Sequence, residues 1–277
     1  MSVHDVSAGG ASIPSLGFGT WAARGPECAE AVTSALQGGY RHVDTAAVYA
    51  NEEAVGEGMR ASGVPRSDIF ITTKVGPADI DEGKLQGSLE ASLRRLRLDQ
   101  VDLVLIHWPN PQIPLRRSIE ALGKAKRQGL ASHIGVSNFT VPLLAEAVGL
   151  SDEPIVANQC EYHPRLDQSR LIEACRESGV AFTSYCPLGR AGDILAEPKI
   201  LAIAKRHGKT AAQVLLRWQV QQPGVVAIPK SANPRRIAEN IAIFDFALSE
   251  EEMRTLFALA VPNGRLVSPG WAPTWDA

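Results

Sequence analysis

Short, dense runs of Val, Ile and Leu recur along the chain, and between them apolar residues return every three to four positions. The dense runs predict strands at residues 16–19, 42–44, 69–74, 103–108, 133–137, 156–160, 181–185 and 225–229. Most lack clean alternation, as parallel strands covered on both faces do. The longer spacing predicts helices. Over residues 84–96 it puts Leu85, Leu89, Leu93 and Leu96 on one buried stripe. A helix over 115–128 carries basic residues in its last turn before Gly129. Helices over 170–178 and 196–207 stop in the same way before Gly179 and Gly208. A second helix, about 210–221, also falls before the eighth strand, and another, about 249–259, follows it.

Eight strand–helix units without a linker predict a (β/α)8 TIM barrel of the α/β class, one domain over residues 1–277. A short N-terminal β-hairpin should precede it, with extra helices late in the chain and a C-terminal tail. The competing architecture is a doubly wound open sheet, for which "GFGTWA" (residues 17–22) offers a superficial G-x-G-x-x-A. "TWAARGPE" is a poor helix start, however, and no acidic residue closes a following strand at about twenty residues in a matching unit. The glycines read better as letting the first strand pass close to something.

The bulk numbers narrow the function. At 45% hydrophobic and 21% charged, the 277 residues are ordinary for a soluble globular chain and near the roughly 250 of one barrel. The 28 basic and 30 acidic side chains are interspersed, and the pairs Arg94–Arg95, Arg116–Arg117 and Arg235–Arg236 build no long positive run. Nucleic acid and membrane surfaces are therefore not expected partners. Cys28, Cys160, Cys175 and Cys186 show no CxxC spacing and no histidine pattern, so reduced cytoplasmic thiols are expected rather than disulfides or a metal site. There is no signal-like N-terminus and no apolar run of about 18 residues.

Barrel chemistry sits at the C-terminal ends of strands. Here those ends carry Asp44 with Tyr49 just beyond, Lys74, His107 and Trp108, Ser137 and Asn138, Asn158 and Gln159, Tyr185, and Lys230 and Ser231. An ammonium beside a phenol is expected to lower its pKa and make it a better acid. A carboxylate beside the lysine keeps that lysine charged, and a neutral histidine can donate to a carbonyl oxygen. Such a set protonates an alkoxide forming from a carbonyl. It holds no acyl-transfer nucleophile and no metal cluster, so the electrons must come from an organic cofactor. Each residue also has a plain structural reading. In "RHVDTAAVYAN" (residues 41–51) the strand end is expected to run straight into a helix, which Asp44 would cap. Tyr49 alone would be core packing, Lys74 a simple ion pair, and His107 a satisfied core histidine.

The segments "GFGTW", "HVDTAAVYANEEAVG", "ITTKV", "DLVLIHWP", "GVSNF", "NQCEYHP", "SYCPLG" and "IPKSANPRRIAEN" resemble the aldo-keto reductases, in family order, from about residue 13 to about residue 269. The tail "NGRLVSPGWAPTWD" is similar to the bacterial 2,5-diketo-D-gluconate reductase type, which includes methylglyoxal reducers. The resemblance implies a monomeric barrel that binds NADPH and reduces small aldehydes, ketoaldehydes or keto-sugars without metal. It implies Tyr49 as general acid, Lys74 and Asp44 as its tuning pair, and His107 as the residue orienting the carbonyl. Ser137, Asn138 and Gln159 would hold the nicotinamide carboxamide, with Tyr185 stacked on the ring. Thr20, Trp21, Leu188 and Gly189 would also contact the cofactor, the last two at the pyrophosphate. Lys230, Ser231 and Arg236 would grip a 2′-phosphate, and Glu239 and Asn240 the adenine. Trp21, Val48 and Trp108 would wall the substrate pocket, with Trp271 and Trp275 as further candidates. Cys186 departs from the serine many members carry, and the loop "GRAGDILAEP" is shorter than the flap of some.

Two other classes stay open from the residues alone. One is a lyase forming a Schiff base on Lys74, against which Asp44 argues by keeping the amine protonated. The other is a non-catalytic NADPH-binding subunit on the same fold. A short-chain dehydrogenase is excluded, since no tyrosine has a lysine four residues later.

Overall fold

The computed structural model describes residues 4–276. Two antiparallel strands, β1 (Asp5–Ala8) and β2 (Ala11–Pro14), form the expected hairpin, turning through Gly9 and Gly10, both at positive φ. Their inward residues Val6, Ala8, Ala11 and Ile13 pack with Leu103, Leu105, Val156, Ala157, Ala181 and Val226 in one buried cluster. The hairpin thus contributes to a core separate from the larger one beneath the helices.

Eight parallel strands follow: β3 (Phe18–Gly19), β4 (His42–Asp44), β5 (Phe70–Val75), β6 (Val101–Ile106), β7 (Ala131–Ser137), β8 (Ile155–Glu161), β9 (Ala181–Tyr185) and β10 (Val225–Ala227). They pair in sequence order. The ring closes where Gly17 N–H donates to the Ala227 carbonyl, Ala227 N–H to Ser15, and Gly19 N–H to Pro229. This closure explains the glycines of "GFGTWA": a Cβ on Gly17 would lie 2.6 Å from the His42 ring, and one on Gly19 2.8 Å from the Ile228 carbonyl oxygen. They serve strand contact, and the open-sheet alternative fails.

The helices are α1 (Gly25–Gln37), α2 (Glu52–Ala61), α3 (Lys84–Leu96), α4 (Leu115–Arg127), α5 (Val141–Leu150), α6 (Ser169–Glu177), α7 (Pro198–His207), α8 (Ala211–Val220), α9 (Pro234–Ile241) and α10 (Glu250–Phe257). The α3 stripe buries Leu85, Leu89, Leu93 and Leu96 as its spacing predicts. Gly129, Gly179 and Gly208 all adopt positive φ just past their helices. The extra helices α7 and α8 lie between β9 and β10, and a tail follows α10.

One local expectation is corrected. The chain does not run from β4 straight into a helix: a single 3-10 turn, Ala47–Tyr49, intervenes, then Ala50 at φ 54°, and α2 starts only at Glu52. Asp44 therefore caps nothing. Its side chain is claimed by residues from other strands.

Candidate active site

The C-terminal ends of the strands surround a cavity of about 560 Å³, within the range of small-molecule sites. Parallel pairing brings its polar residues together. Asp44 ends β4 in register with Thr72, two residues before Lys74 on β5, and Ser137 of β7 is in register with Gln159 of β8.

Lys74 is fully buried, and its ammonium meets Asp44 Oδ1 at 2.5 Å, the Thr45 carbonyl at 2.9 Å and the Tyr49 hydroxyl at 3.3 Å. Three donors and three acceptors leave nothing over. Gln159 Nε2 donates to Asp44 Oδ2 at 2.7 Å, so both carboxylate oxygens are engaged. Burial alone would lower the Lys74 pKa, but Asp44 and then Tyr49 outweigh it and the net direction is upward. A charged amine with every proton committed is a poor Schiff-base nucleophile.

Tyr49 contradicts the expected direction. Burial pushes its phenol above the ordinary value, and the Lys74 ammonium recovers only part of that. The phenol therefore rests protonated at neutral pH, and the ammonium acts on the phenolate left once the proton departs. His107 packs edge-to-face on Tyr49, ring centroids 5.6 Å apart. Burial, and secondarily Lys74, lowers its pKa to about 3.

A stability test follows. Between pH 6.5 and about 3 the unfolded chain takes up a proton at His107 that the folded chain refuses, so acid favours unfolding. Melts from pH 7 to 4 should show a smaller loss of stability for His107→Gln than for wild type. Equal losses would contradict the depressed value.

Asn138, at φ 63°, turns its amide back into the barrel, a conformation asparagine tolerates. Its Nδ2 donates to the His107 carbonyl and to Ser137 Oγ, both at 3.0 Å, and its Oδ1 accepts from the Tyr185 hydroxyl at 2.8 Å. Ser137 Oγ donates to the Gln159 carbonyl at 2.8 Å.

Of the other residues singled out from sequence, Trp21, Val48, Trp108, Leu188 and Lys230 also line the cavity. Trp21 and Val48 stand at its rim, 55% and 59% exposed. Thr20 does not line it: it is fully buried and its hydroxyl donates to the Asp44 carbonyl. Gly189 lies between two lining residues, Leu188 and Arg190. Ser231, Arg236, Glu239 and Asn240 lie outside it, Ser231 just before α9 and the other three within that helix. There the Asn233 side chain caps the helix by accepting from the Arg235 and Arg236 N–H groups. Among the described residues, neither Lys230 nor Arg236 forms an ion pair with a carboxylate, and both are exposed. Two uncommitted cations flanking a hydroxyl suit a phosphate. Glu239 Oε1 accepts from Thr210, and Asn240 is buried.

Cys186, noted from the sequence as a departure from serine, also lines the cavity. Sequence reasoning missed several other cavity residues: Gly19, Pro187, Arg190, Ala191, Ile228, Pro229 and Val267. Arg190 sets its guanidinium 5.6 Å from the ring centre of Trp21, which lines the same cavity. Trp271 and Trp275 do not line the cavity. They pack edge-on against Trp108, centroids 5.2 and 6.0 Å away, and the tail enters the wall through Val267.

The model of the Aldo/keto reductase family matches residues 15–260. The chain belongs to that family. It is an oxidoreductase acting on carbonyl groups, and members of the family use a nicotinamide cofactor. Methylglyoxal reductase DkgB of Yersinia pestis is 41% identical over 269 residues, 96% of this chain and 100% of that one. An aldo-keto reductase of Mycobacterium sp. strain MCS is 46% identical over 90% of this chain and 88% of its own. A crystal structure provisionally assigned as a 2,5-diketo-D-gluconic acid reductase B superposes with TM-score 0.97 at 48% identity, covering 99% and 98% of the two chains. A Bombyx mori aldo-keto reductase in complex with NADP gives 0.90 at 33%, covering 98% and 96%. Among the described residues no helix is long and apolar enough to cross a membrane. None of their His, Cys, Asp and Glu side chains form a group of three or more that could hold a metal ion.

Proposed function

We propose that this reductase uses NADPH to convert small aldehydes, ketoaldehydes or keto-sugars to alcohols, with Tyr49 as the proton donor. The observation that carries the reading is the Lys74 ammonium set between Asp44 and the Tyr49 hydroxyl, with that phenol on the cavity beside His107. A neutral His107 donates a hydrogen bond to the carbonyl oxygen. Its Nδ1 is buried without a partner, which favours the tautomer protonated at Nε2, since an unmet N–H costs more than an unmet lone pair in apolar surroundings. Tyr49 gives its proton to the same oxygen as charge develops there, and Lys74 holds the resulting phenolate. Asp44 and Gln159 keep the ammonium in place.

The residues present fit the cofactor. Bound there, NADPH would supply a hydride from nicotinamide C4 to the carbonyl carbon. Ser137, Asn138 and Gln159, all on the cavity wall, would hold its carboxamide, and Tyr185 would stack on the ring. Thr20 supports this end from behind, through Asp44. Trp21, Leu188 and Gly189 would contact the cofactor between its ends, Lys230, Ser231 and Arg236 would hold the 2′-phosphate, and Glu239 and Asn240 the adenine. Trp21, Val48 and Trp108 wall the substrate side. The DkgB and 2,5-diketo-D-gluconic acid reductase B names of the relatives support ketoaldehydes and keto-sugars as the class.

The test is NADPH oxidation by purified protein with methylglyoxal or a nitrobenzaldehyde; tight NADPH binding without turnover across a broad carbonyl panel would refute the reading. Lys230→Met and Arg236→Gln should each raise KM for NADPH by about 10- to 100-fold, the worth of a charge-assisted hydrogen bond. NADH kinetics should stay unchanged. Equal losses with both cofactors would remove these residues from the phosphate.

A further inference from the structure

Among the described residues beyond α10 there is neither helix nor strand, so residues 261–276 have no ladder to fix them. Yet Val267 forms part of the cavity wall, and Trp271 and Trp275 back Trp108. Something must place this segment to within a fraction of a side chain. The structure shows what does. Glu161, the last residue of β8 and two positions past Gln159, is fully buried and is not among the residues that line the cavity. Its Oε1 accepts the Leu266 N–H at 2.6 Å and its Oε2 the Val267 N–H at 2.7 Å. His163 Nε2 lies 2.9 Å from Oε1, and Gln168 Nε2 donates to the Glu161 carbonyl at 2.8 Å.

The rest of the tail is built out from this point. The Arg265 guanidinium stacks 3.6 Å from the Trp275 ring centre, and Trp275 Nε1 donates to Ser268 Oγ. At the far end Asp276 Oδ2 accepts the Val141 N–H at the start of α5. Val267, held by its own amide, lies between these anchors.

We propose that Glu161 is a positioning residue for the carbonyl substrate: it clamps the C-terminal tail by two consecutive backbone N–H groups and so sets the substrate-side wall. The inference rests on the carbonyl-reductase reading for its effect on kinetics, but the clamp itself does not. A buried carboxylate is a costly way merely to fill space, and an apolar residue would pack there at less cost. What the carboxylate adds is two acceptors side by side, matched to two adjacent amides of a segment that has no other regular partner.

Glu161→Gln tests this. The amide keeps the size but offers one acceptor oxygen, so its NH2 faces a tail N–H and leaves it unpaired. The expected result is a rise of about 10-fold in KM for para-nitrobenzaldehyde, with the NADPH Kd within twofold of wild type. The preference between that aldehyde and methylglyoxal should narrow, since the tail no longer shapes the wall. Trypsin cleavage after Arg265 should accelerate about 10-fold, a readout independent of turnover. Unchanged cleavage overturns the clamp. Accelerated cleavage with unchanged KM overturns its role toward substrate, as does an NADPH affinity that weakens in step with KM. If the wild type reduces no carbonyl, the function reading fails while cleavage still decides the clamp. Should Glu161→Gln fail to fold, Leu266→Pro removes one of the two donors at a half-exposed position outside the cavity lining. An Arg–Pro bond resists trypsin, so the freed tail is read in this variant by chymotrypsin cleavage after Trp271. That cleavage should accelerate about 10-fold and KM should rise as in Glu161→Gln, and wild-type values for either would overturn the proposal.

Discussion

Tyr49→Phe should lower kcat by about 10²- to 10⁴-fold, the range for loss of a positioned general acid. The substitution removes one oxygen and little else. The phenol ring stays packed against His107, and the Lys74 ammonium keeps Asp44 and the Thr45 carbonyl as partners. Stability should therefore change little, and NADPH titration should give an unaltered Kd. Loss of kcat without loss of binding marks an interaction made only in the transition state. Because burial raises the phenol's pKa above its ordinary value, the wild-type reduction rate should be flat in Tyr49 ionisation through neutral pH and decline only in strong alkali. A Phe variant that retained near wild-type turnover would remove the phenol from the proposed role.

The barrel was legible in the sequence because its signals are local. Dense apolar runs mark β5 to β10 within two or three residues of their observed ends, and the polar residue closing each run announces the cavity. What was hidden depends on distance along the chain. Local preference makes Asp44 look like a helix cap, but Lys74 reaches it from 30 residues away and Gln159 from 115, and these bonds decide its role. The Tyr49 direction was misjudged because a nearby charge can be read from sequence, whereas the depth of enclosure that outweighs it cannot. Cys186 and Arg190 enter the cavity through left-handed backbone after β9, at φ 52° and 57°, where neither residue type signals such a turn. Glu161 and Val267 meet only because the tail returns across the barrel mouth, 106 residues later in the chain.

Lys74→Met should separate the fold's interest in this site from the chemistry's. Lys74 and Asp44 side chains are 0% and 2% exposed, so removing the cation leaves a buried carboxylate supported only by Gln159 Nε2. Breaking a buried pair from one side costs about 3–5 kcal/mol, which in a chain of this size lowers Tm by roughly 6–20 °C. Replacing both members is different: an Asp44→Asn, Lys74→Met double variant holds no uncompensated charge, and its amide still pairs with Gln159. Thermal melts should show the double variant recovering most of the stability lost by the single one. Its turnover should stay as low, because no ammonium remains to hold the phenolate when Tyr49 gives up its proton. A double variant as unstable as Lys74→Met would mean that the damage lies in packing rather than charge. One that regained activity would mean that Tyr49 needs no cation, and the proposed proton transfer would fall with it.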